Sequence, residues 1–302
     1  MIDDEHGATD SVAAPQSPLA GFTHRLNEHG YPFHYAVTER TRTLFDSRRS
    51  SFEFQGAEFP VELRGRESRI DTVLRKRTRV WGRSDSRVAV WHIVIECKRA
   101  NPALANWCFA KAPYVRRGDG YESFTVDTIE RAADSDEFVL HAARVHGLDP
   151  AYHIAFEAKT HKKGDPAGKS GAIEDAISQA LRGSAGLVDQ YARATADFTN
   201  VQKVTFVPIV VTTAALWVTD AALEEADAAT GELDPSSVDF ERVVSVAMQY
   251  SRSHSLTPAR PKRSEPVTDL TELFDLEFAR TVHIMNANAL DNYLLRISSL
   301  AD

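Results

Sequence analysis

The chain has 302 residues, 43% of them hydrophobic and 26% charged, and two cysteines, Cys97 and Cys108. That length and balance suit a soluble domain with a sizeable buried core, and two cysteines exclude a disulfide framework or a cysteine-rich zinc site. The net charge of −8 excludes a uniformly basic nucleic-acid binder.

The charge is unevenly spread. Between Arg40 and Arg99 there are 15 Lys and Arg against 8 Asp and Glu, so the rest of the chain is strongly acidic. A basic segment of this kind can gather a polyanion at one face, although surface arginines alternating with glutamates would give the same counts. No basic-then-apolar leader opens the sequence. The longest apolar runs, such as Val204 to Val211, fall far short of the roughly 20 residues of a membrane helix. The chain therefore reads as cytoplasmic, with no membrane partner.

In chain order, residues 1–20 are polar and rich in Ala, Ser and Pro, the composition of a flexible tail. Residues 21–302 read as a single domain. Thr38 to Ser50 is expected to be helical, with Thr38 as N-cap. Phe52 to Leu63 is expected to be extended, with a turn or bulge at Gly56. Arg69 to Arg75 and Val88 to Arg99 are strands rich in Val and Ile, joined by a loop around Gly82. Residues 101–150 read as an insertion, with helical stretches between Val126 and Val145. Tyr152 to Lys159 is a further strand. Ile173, Ile177, Ala180, Leu181, Leu187, Val188 and Tyr191 fall at helical spacing up to about Thr195. Val204 to Val218 reads as one buried strand running past Thr213, and Ala221 to Glu232 as a short acidic helix or loop. Val243 to Tyr250 and Thr281 to Met285 are expected as edge strands, and Asn286 to Ile297 as a closing helix. The fold class is α/β, a mixed central sheet flanked by helices.

The chemistry concentrates in Arg69-Ile-Asp-Thr-Val-Leu and Trp91-His-Ile-Val-Ile-Glu-Cys-Lys-Arg99. Side chains alternate along a strand, so Glu96 and Lys98 share a face with His92 and Val94, opposite an apolar face of Trp91, Ile93, Ile95 and Cys97. A turn near Gly82 would pair the two strands and set Asp71 beside Glu96. Adjacent carboxylates repel, and a hard divalent cation relieves that repulsion. Asp71, Glu96 and the Cys97 backbone carbonyl would suit Mg²⁺ or Mn²⁺. Lys98 would orient or deprotonate a water, or neutralise developing negative charge.

Asp71, Glu96 and Lys98, with Ile-Glu-Cys-Lys at the end of the second strand, resemble the signature of the PD-(D/E)XK nucleases, the restriction-endonuclease-like superfamily. Ile70 stands where the signature has proline, a departure many members share. The resemblance implies a core over 38–100 and 150–218, the insertion at 101–150 and a C-terminal elaboration over 219–302. It also implies DNA as substrate, and leaves room for a homodimer or a partner subunit. Members often carry a glutamate on the helix before the first strand, which makes Glu39 a candidate, with Glu53 as second choice. Many carry a glutamine on the helix after the signature strand, which points to Gln179, with Gln190 on the same helical face. Gly183 and Gly186, on that face too, would let a DNA backbone approach, or would simply divide the helix in two. Arg64, Arg66, Arg69, Arg75, Lys76 and Arg99 are candidates for phosphate contacts from local charge.

Other patterns carry less. Glu157-Ala-Lys159 repeats the acid-x-lysine spacing without an upstream strand bearing an aspartate. Gly164 to Ser170 resembles a phosphate-binding loop but is one residue short and contains Pro166, so a nucleotide-binding protein is a distant alternative. His92, His153 and His161 have no metal-ligand spacing, and His92, Trp107 and Trp217 read as packing residues. An ordinary cross-strand pair of Glu96 and Lys98 would leave a binding or interaction protein that keeps the fold without cutting.

Overall fold

Alternating and β-branched segments take more of the described residues into strands than into helices, and a computed structural model shows how they pair. It describes residues 18–80, 87–100, 105–111, 124–132, 137–145, 151–158, 171–194, 199–259, 262–263 and 279–301. Two helices come first, α1 (Pro18–Glu28) and α2 (Tyr31–Asp46), then the strands β1 (Glu53–Leu63), β2 (Arg66–Arg79), β3 (Val88–Lys98), β4 (Asn106–Ala110), β5 (Phe124–Arg131), β6 (Phe138–Val145), β7 (Ala151–Tyr152) and β8 (Ile154–Ala158). The long helix α3 (Gly171–Arg193) precedes β9 (Val201–Thr212), β10 (Ala215–Thr219), β11 (Glu241–Val243), β12 (Ser245–Ser251), β13 (Lys262–Arg263) and β14 (Ala279–Asn286), and α4 (Leu290–Leu300) closes the chain. The expected loop at Gly82 and the Gly164–Ser170 pattern lie outside the described residues, as do residues 1–17.

β1, β2 and β3 form an antiparallel meander, and β3 continues into parallel β9, parallel β14, antiparallel β12 and the short β7. β9 is buried along its whole length except at Lys203, as a strand covered on both faces should be. Val37 and Leu44 of α2 and Leu290, Leu294 and Ile297 of α4 pack on one face of the sheet against Leu74, Ile93 and Ile95. α3 covers the other face, its Leu187 and Val188 meeting Val61, Ile70 and Val94. A second sheet runs β11-β10-β4-β8.

Several expectations are corrected. α2 begins at Tyr31, because Gly30 in the left-handed region (φ 76°) ends α1 and Pro32 pre-sets the first helical turn. Thr38 is therefore a buried mid-helix residue whose hydroxyl hydrogen-bonds that of Thr72 at 2.7 Å. The described residues of Val126 to Val145 are strand, not helix: β5 and β6 are antiparallel partners, and β5 also pairs with β9. The stretch from Val204 to Val218 is two strands, divided where Thr212 Oγ1 accepts from the Ala214 N–H and sends β10 into the second sheet. β14 is interior, between β9 and β12, not an edge. The bulge foreseen at Gly56 is present as a register shift in β1.

α3 is continuous through Gly183 and Gly186, so the glycines neither divide it nor face a ligand. A Cβ at Gly183 would come within 2.7 Å of Ile70 Cγ1, and one at Gly186 within 2.8 Å of Val61 Cβ. Only hydrogen fits there, and the helix lies against the sheet at those two points. That close seating fixes Ile70, and with it the backbone of the next residue, Asp71.

Candidate metal centre

Strand register builds the site. β1 and β2 are joined by Arg64-Gly65, both with positive φ (52° and 75°), the conformation of a tight two-residue hairpin. Counting outward from that turn, Glu58 stands opposite Asp71, between the rungs Ala57–Thr72 and Phe59–Ile70. On the other side Thr72 pairs with Ile95, so the next residues outward, Asp71 and Glu96, stand side by side. Three carboxylates from three neighbouring strands thus meet at one end of the meander. Glu58 holds a left-handed backbone (φ 49°) inside a strand, a strained conformation for a residue with a Cβ.

His34, in the first turn of α2, completes the group. Its Nε2 lies 2.7 Å from the main-chain oxygen of Asp71 and its Nδ1 lies 3.3 Å from Glu58 Oε1. A carbonyl only accepts, so Nε2 donates to it and Nδ1 is left facing the Glu58 carboxylate. A ring nitrogen and a carboxylate oxygen at that distance share either a proton or a cation. Ligands at right angles around an ion at about 2.1 Å lie about 3 Å apart, which matches this separation. One ligand atom each from His34, Glu58 and Asp71 lie within 4.8 Å of one another. This partly buried His/Glu/Asp cluster beside a mixed α/β sheet can coordinate a metal ion, and the second-nitrogen bond of His34 to a carbonyl is the usual way a ligating ring is oriented.

The electrostatics point the same way. Burial first, then the Asp71 carboxylate, pushes the Glu96 carboxyl up to about 9, with Glu58 adding and the Lys98 ammonium opposing. Asp71 is raised mainly by burial, against a hydrogen bond that its Oδ2 accepts from the Cys97 N–H at 2.7 Å. Lys98, half-buried, ends β3 within electrostatic reach of both acids. Cys97, expected to offer its carbonyl, reaches the cluster here through its N–H.

The remaining sequence candidates scatter. Glu39 is exposed on α2 and pairs with Arg42 at 3.4 Å, and Glu53 pairs with Arg75 at 2.9 Å; the acid brought to Asp71 is Glu58. Gln179 is exposed on α3, and Gln190 donates to the Pro60 carbonyl at 3.0 Å. Lys76 is buried and donates to the Ser298 carbonyl at 2.7 Å, which makes it a structural lysine rather than a phosphate contact. Arg64 donates to the Thr257 carbonyl at 3.2 Å, Arg99 donates to the Asn27 carbonyl, and Arg66 and Arg69 are exposed on β2. His92 is the packing residue expected. It is stacked on Phe206, bonded to the Tyr191 hydroxyl at 2.6 Å, and lowered to about 3 by burial and by Arg75 and Arg77. Glu157 is buried and accepts from the Ala172 N–H at 2.8 Å, so it caps the start of α3. Trp107 is core, whereas Trp217 is half-buried and donates to Asn106 at 3.0 Å.

Sequence reasoning missed His34 and Glu58. The signals were present: Gly30-Tyr-Pro32 announces a helix whose first turn holds His34, and Arg64-Gly65 announces the hairpin that sets Glu58 against Asp71. The chain matches no protein-family model, no curated protein and no solved structure. Among the described residues no helix is long and apolar enough to cross a membrane.

Proposed function

We propose that this chain is a metal-dependent nuclease of the PD-(D/E)XK type, hydrolysing phosphodiester bonds in DNA. The observation that carries the reading is the meeting of His34, Glu58 and Asp71 beside the end of β3, with Glu96 and Lys98 in electrostatic contact with Asp71. Carboxyl groups this close, with Asp71 and Glu96 raised by burial, are expensive to ionise together without a cation among them.

His34 Nδ1, Glu58 and Asp71 would hold the ion, with Glu96 as a further oxygen ligand. Carboxylates alone suit Mg²⁺, and an imidazole in the set shifts preference toward Mn²⁺. The bound ion would supply Lewis-acid charge to the phosphate oxygens and acidify a water. Lys98, whose charge acts on Asp71 and Glu96, would orient the attacking water and offset charge developing on the phosphate. His34, fixed by the Asp71 carbonyl, keeps its Nδ1 aimed into the cluster. The exposed Arg66 and Arg69 and the basic surround of β2 would attract the DNA backbone.

The test is cleavage of plasmid, linear duplex and single-stranded DNA by the wild type and Lys98→Ala, each with Mg²⁺, with Mn²⁺ and with EDTA. Metal-dependent cutting by the wild type that is lost in Lys98→Ala, with the variant still folded, is the expected result. An unfolded Lys98→Ala would mean that the lysine is structural, and absence of cutting under every condition would turn the reading toward a protein that binds without cleaving.

A further inference from the structure

Next to the metal cluster the surface turns aromatic. Tyr35 stacks on His34, ring centroids 5.0 Å apart and planes 17° apart, yet remains 55% exposed. Tyr31, one helical turn earlier on the same face of α2, is 49% exposed, and its ring lies 5.9 Å from that of His29. Phe22 and Leu26 are likewise exposed one turn apart on α1. Globular proteins bury such side chains where they can. Here four of them lie on the two helices that lead into His34.

Charge distinguishes what this face fits. From Tyr31 to Thr38, α2 carries no acidic residue, and Lys98 and Arg99 follow one another at the strand end beside it. The Arg99 guanidinium donates to the Asn27 carbonyl at the end of α1, and its Cβ lies against Gly30, so this cation sits at the junction of the two helices. An apolar peptide would gain from the rings but not from the cations. A polyanion with flat, accessible rings gains from both.

We infer that Tyr31 and Tyr35 are a stacking platform for unpaired bases, and that the substrate is a single-stranded polynucleotide, or the unpaired part of one, rather than intact duplex. The inference rests on the nuclease reading for the direction of the strand, which runs from the platform into the metal cluster through the Tyr35–His34 contact. Stacked bases inside a duplex present no free face, whereas a single strand offers one at every nucleotide, so aromatic platforms beside cationic groups select single strands without reading sequence. A base seated on Tyr35 would set its phosphate within one nucleotide of the cluster.

The experiment measures binding of fluorescein-labelled dT20, and of a 20-base-pair duplex, by fluorescence anisotropy in EDTA, so that no cleavage intervenes. The proteins are the wild type, Tyr35→Ala, Tyr31→Ala and Tyr35→Phe, each checked for an unchanged thermal melt. Loss of one stacking partner is expected to weaken dT20 binding about tenfold in each alanine variant. Tyr35→Phe, which keeps the ring, should stay within about twofold of the wild type, and duplex binding should be weaker and insensitive to all three. The inference is overturned if the wild type fails to bind dT20, if Tyr35→Ala binds it as the wild type does, or if Tyr35→Phe loses as much as alanine. Tyrosine-dependent strand binding in a protein that never cuts with metal would sink the nuclease reading and leave the platform standing. Metal-dependent cutting with no tyrosine dependence would do the reverse.

Discussion

Replacing Glu96 by glutamine separates a functional carboxylate from a structural one. With its carboxyl raised from 4.5 to about 9, Glu96 keeps its proton in the folded protein over a range where the unfolded chain has lost it. The folded state then binds more protons, so stability is fully present below pH 4.5 and falls as pH rises, by up to about 1.4 kcal/mol per unit, until about pH 9. At pH 7 the interval is about 2.5 units, so Glu96 costs the metal-free fold at most about 3 kcal/mol. Glutamine has the same shape and no charge. Glu96→Gln should therefore be more stable than the wild type in EDTA at pH 7 to 8, by about 1–3 kcal/mol, and equal to it near pH 4.5. A divalent ion supplies the missing counter-charge, so Mn²⁺ should raise the wild-type melting temperature much more than that of the variant. Urea denaturation at pH 4.5, 6 and 8, with EDTA or Mn²⁺, reads all of this. If Glu96→Gln were less stable than the wild type at pH 8 in EDTA, Glu96 would be half of an ordinary ion pair with Lys98 and not a carboxyl awaiting a metal ion.

Three other perturbations probe the site and its support. His34→Ala removes an imidazole donor and should weaken Mn²⁺ binding at least tenfold in calorimetric titration, affecting Mg²⁺ less; equal losses for both ions would assign His34 to packing. Asp127 is buried between Arg252 and Arg280, bonded to them at 2.5–3.1 Å, and although burial alone would raise its carboxyl, the two guanidiniums hold it down to about 2. Asp127→Asn removes a buried negative charge from between two guanidiniums and should cost about 3 kcal/mol in urea unfolding, while the wild type should lose this contribution as pH falls from about 4 to 2. Gly183→Ala gains up to about 1 kcal/mol of helix propensity but drives a methyl into Ile70 and Val94, an overlap costing about 1–3 kcal/mol. Its net destabilisation should be accompanied by weaker metal binding, because Ile70 adjoins Asp71; a more stable variant with wild-type metal affinity would show that α3 is free to move.

The strand signature was legible because it is local. Asp71, Glu96 and Lys98 sit in β-branched runs whose alternation fixes which side chains share a face, and one-residue continuation of the Thr72–Ile95 rung sets the two acids together. The buried helix α3 announced itself by its spacing, and the packing role of His92 by the apolar residues around it. Where the reading went astray, two elements competed on equal local terms. Val126 to Val145 has residues that suit helix or strand, and the hydrogen bonds offered by β9 to β5 decided for strand. The run from Val204 to Val218 carries one apolar pattern, and nothing in it says that the chain changes sheet at Ala214.

What the sequence by itself determined is therefore the α/β class, the meander that bears the site, and the acid and lysine at its end. Tertiary structure decided the rest of the cluster. Glu58 belongs to it because a hairpin turn sets its register against Asp71, and His34 because α2 starts after Gly30 and lays its first turn over Asp71 of β2. Neither residue stands in a motif with Asp71, and each reaches it by pairing or packing between segments. A sequence states its local preferences residue by residue, but a metal centre requires atoms within a few ångströms of one another, and only the pairing of distant segments supplies that.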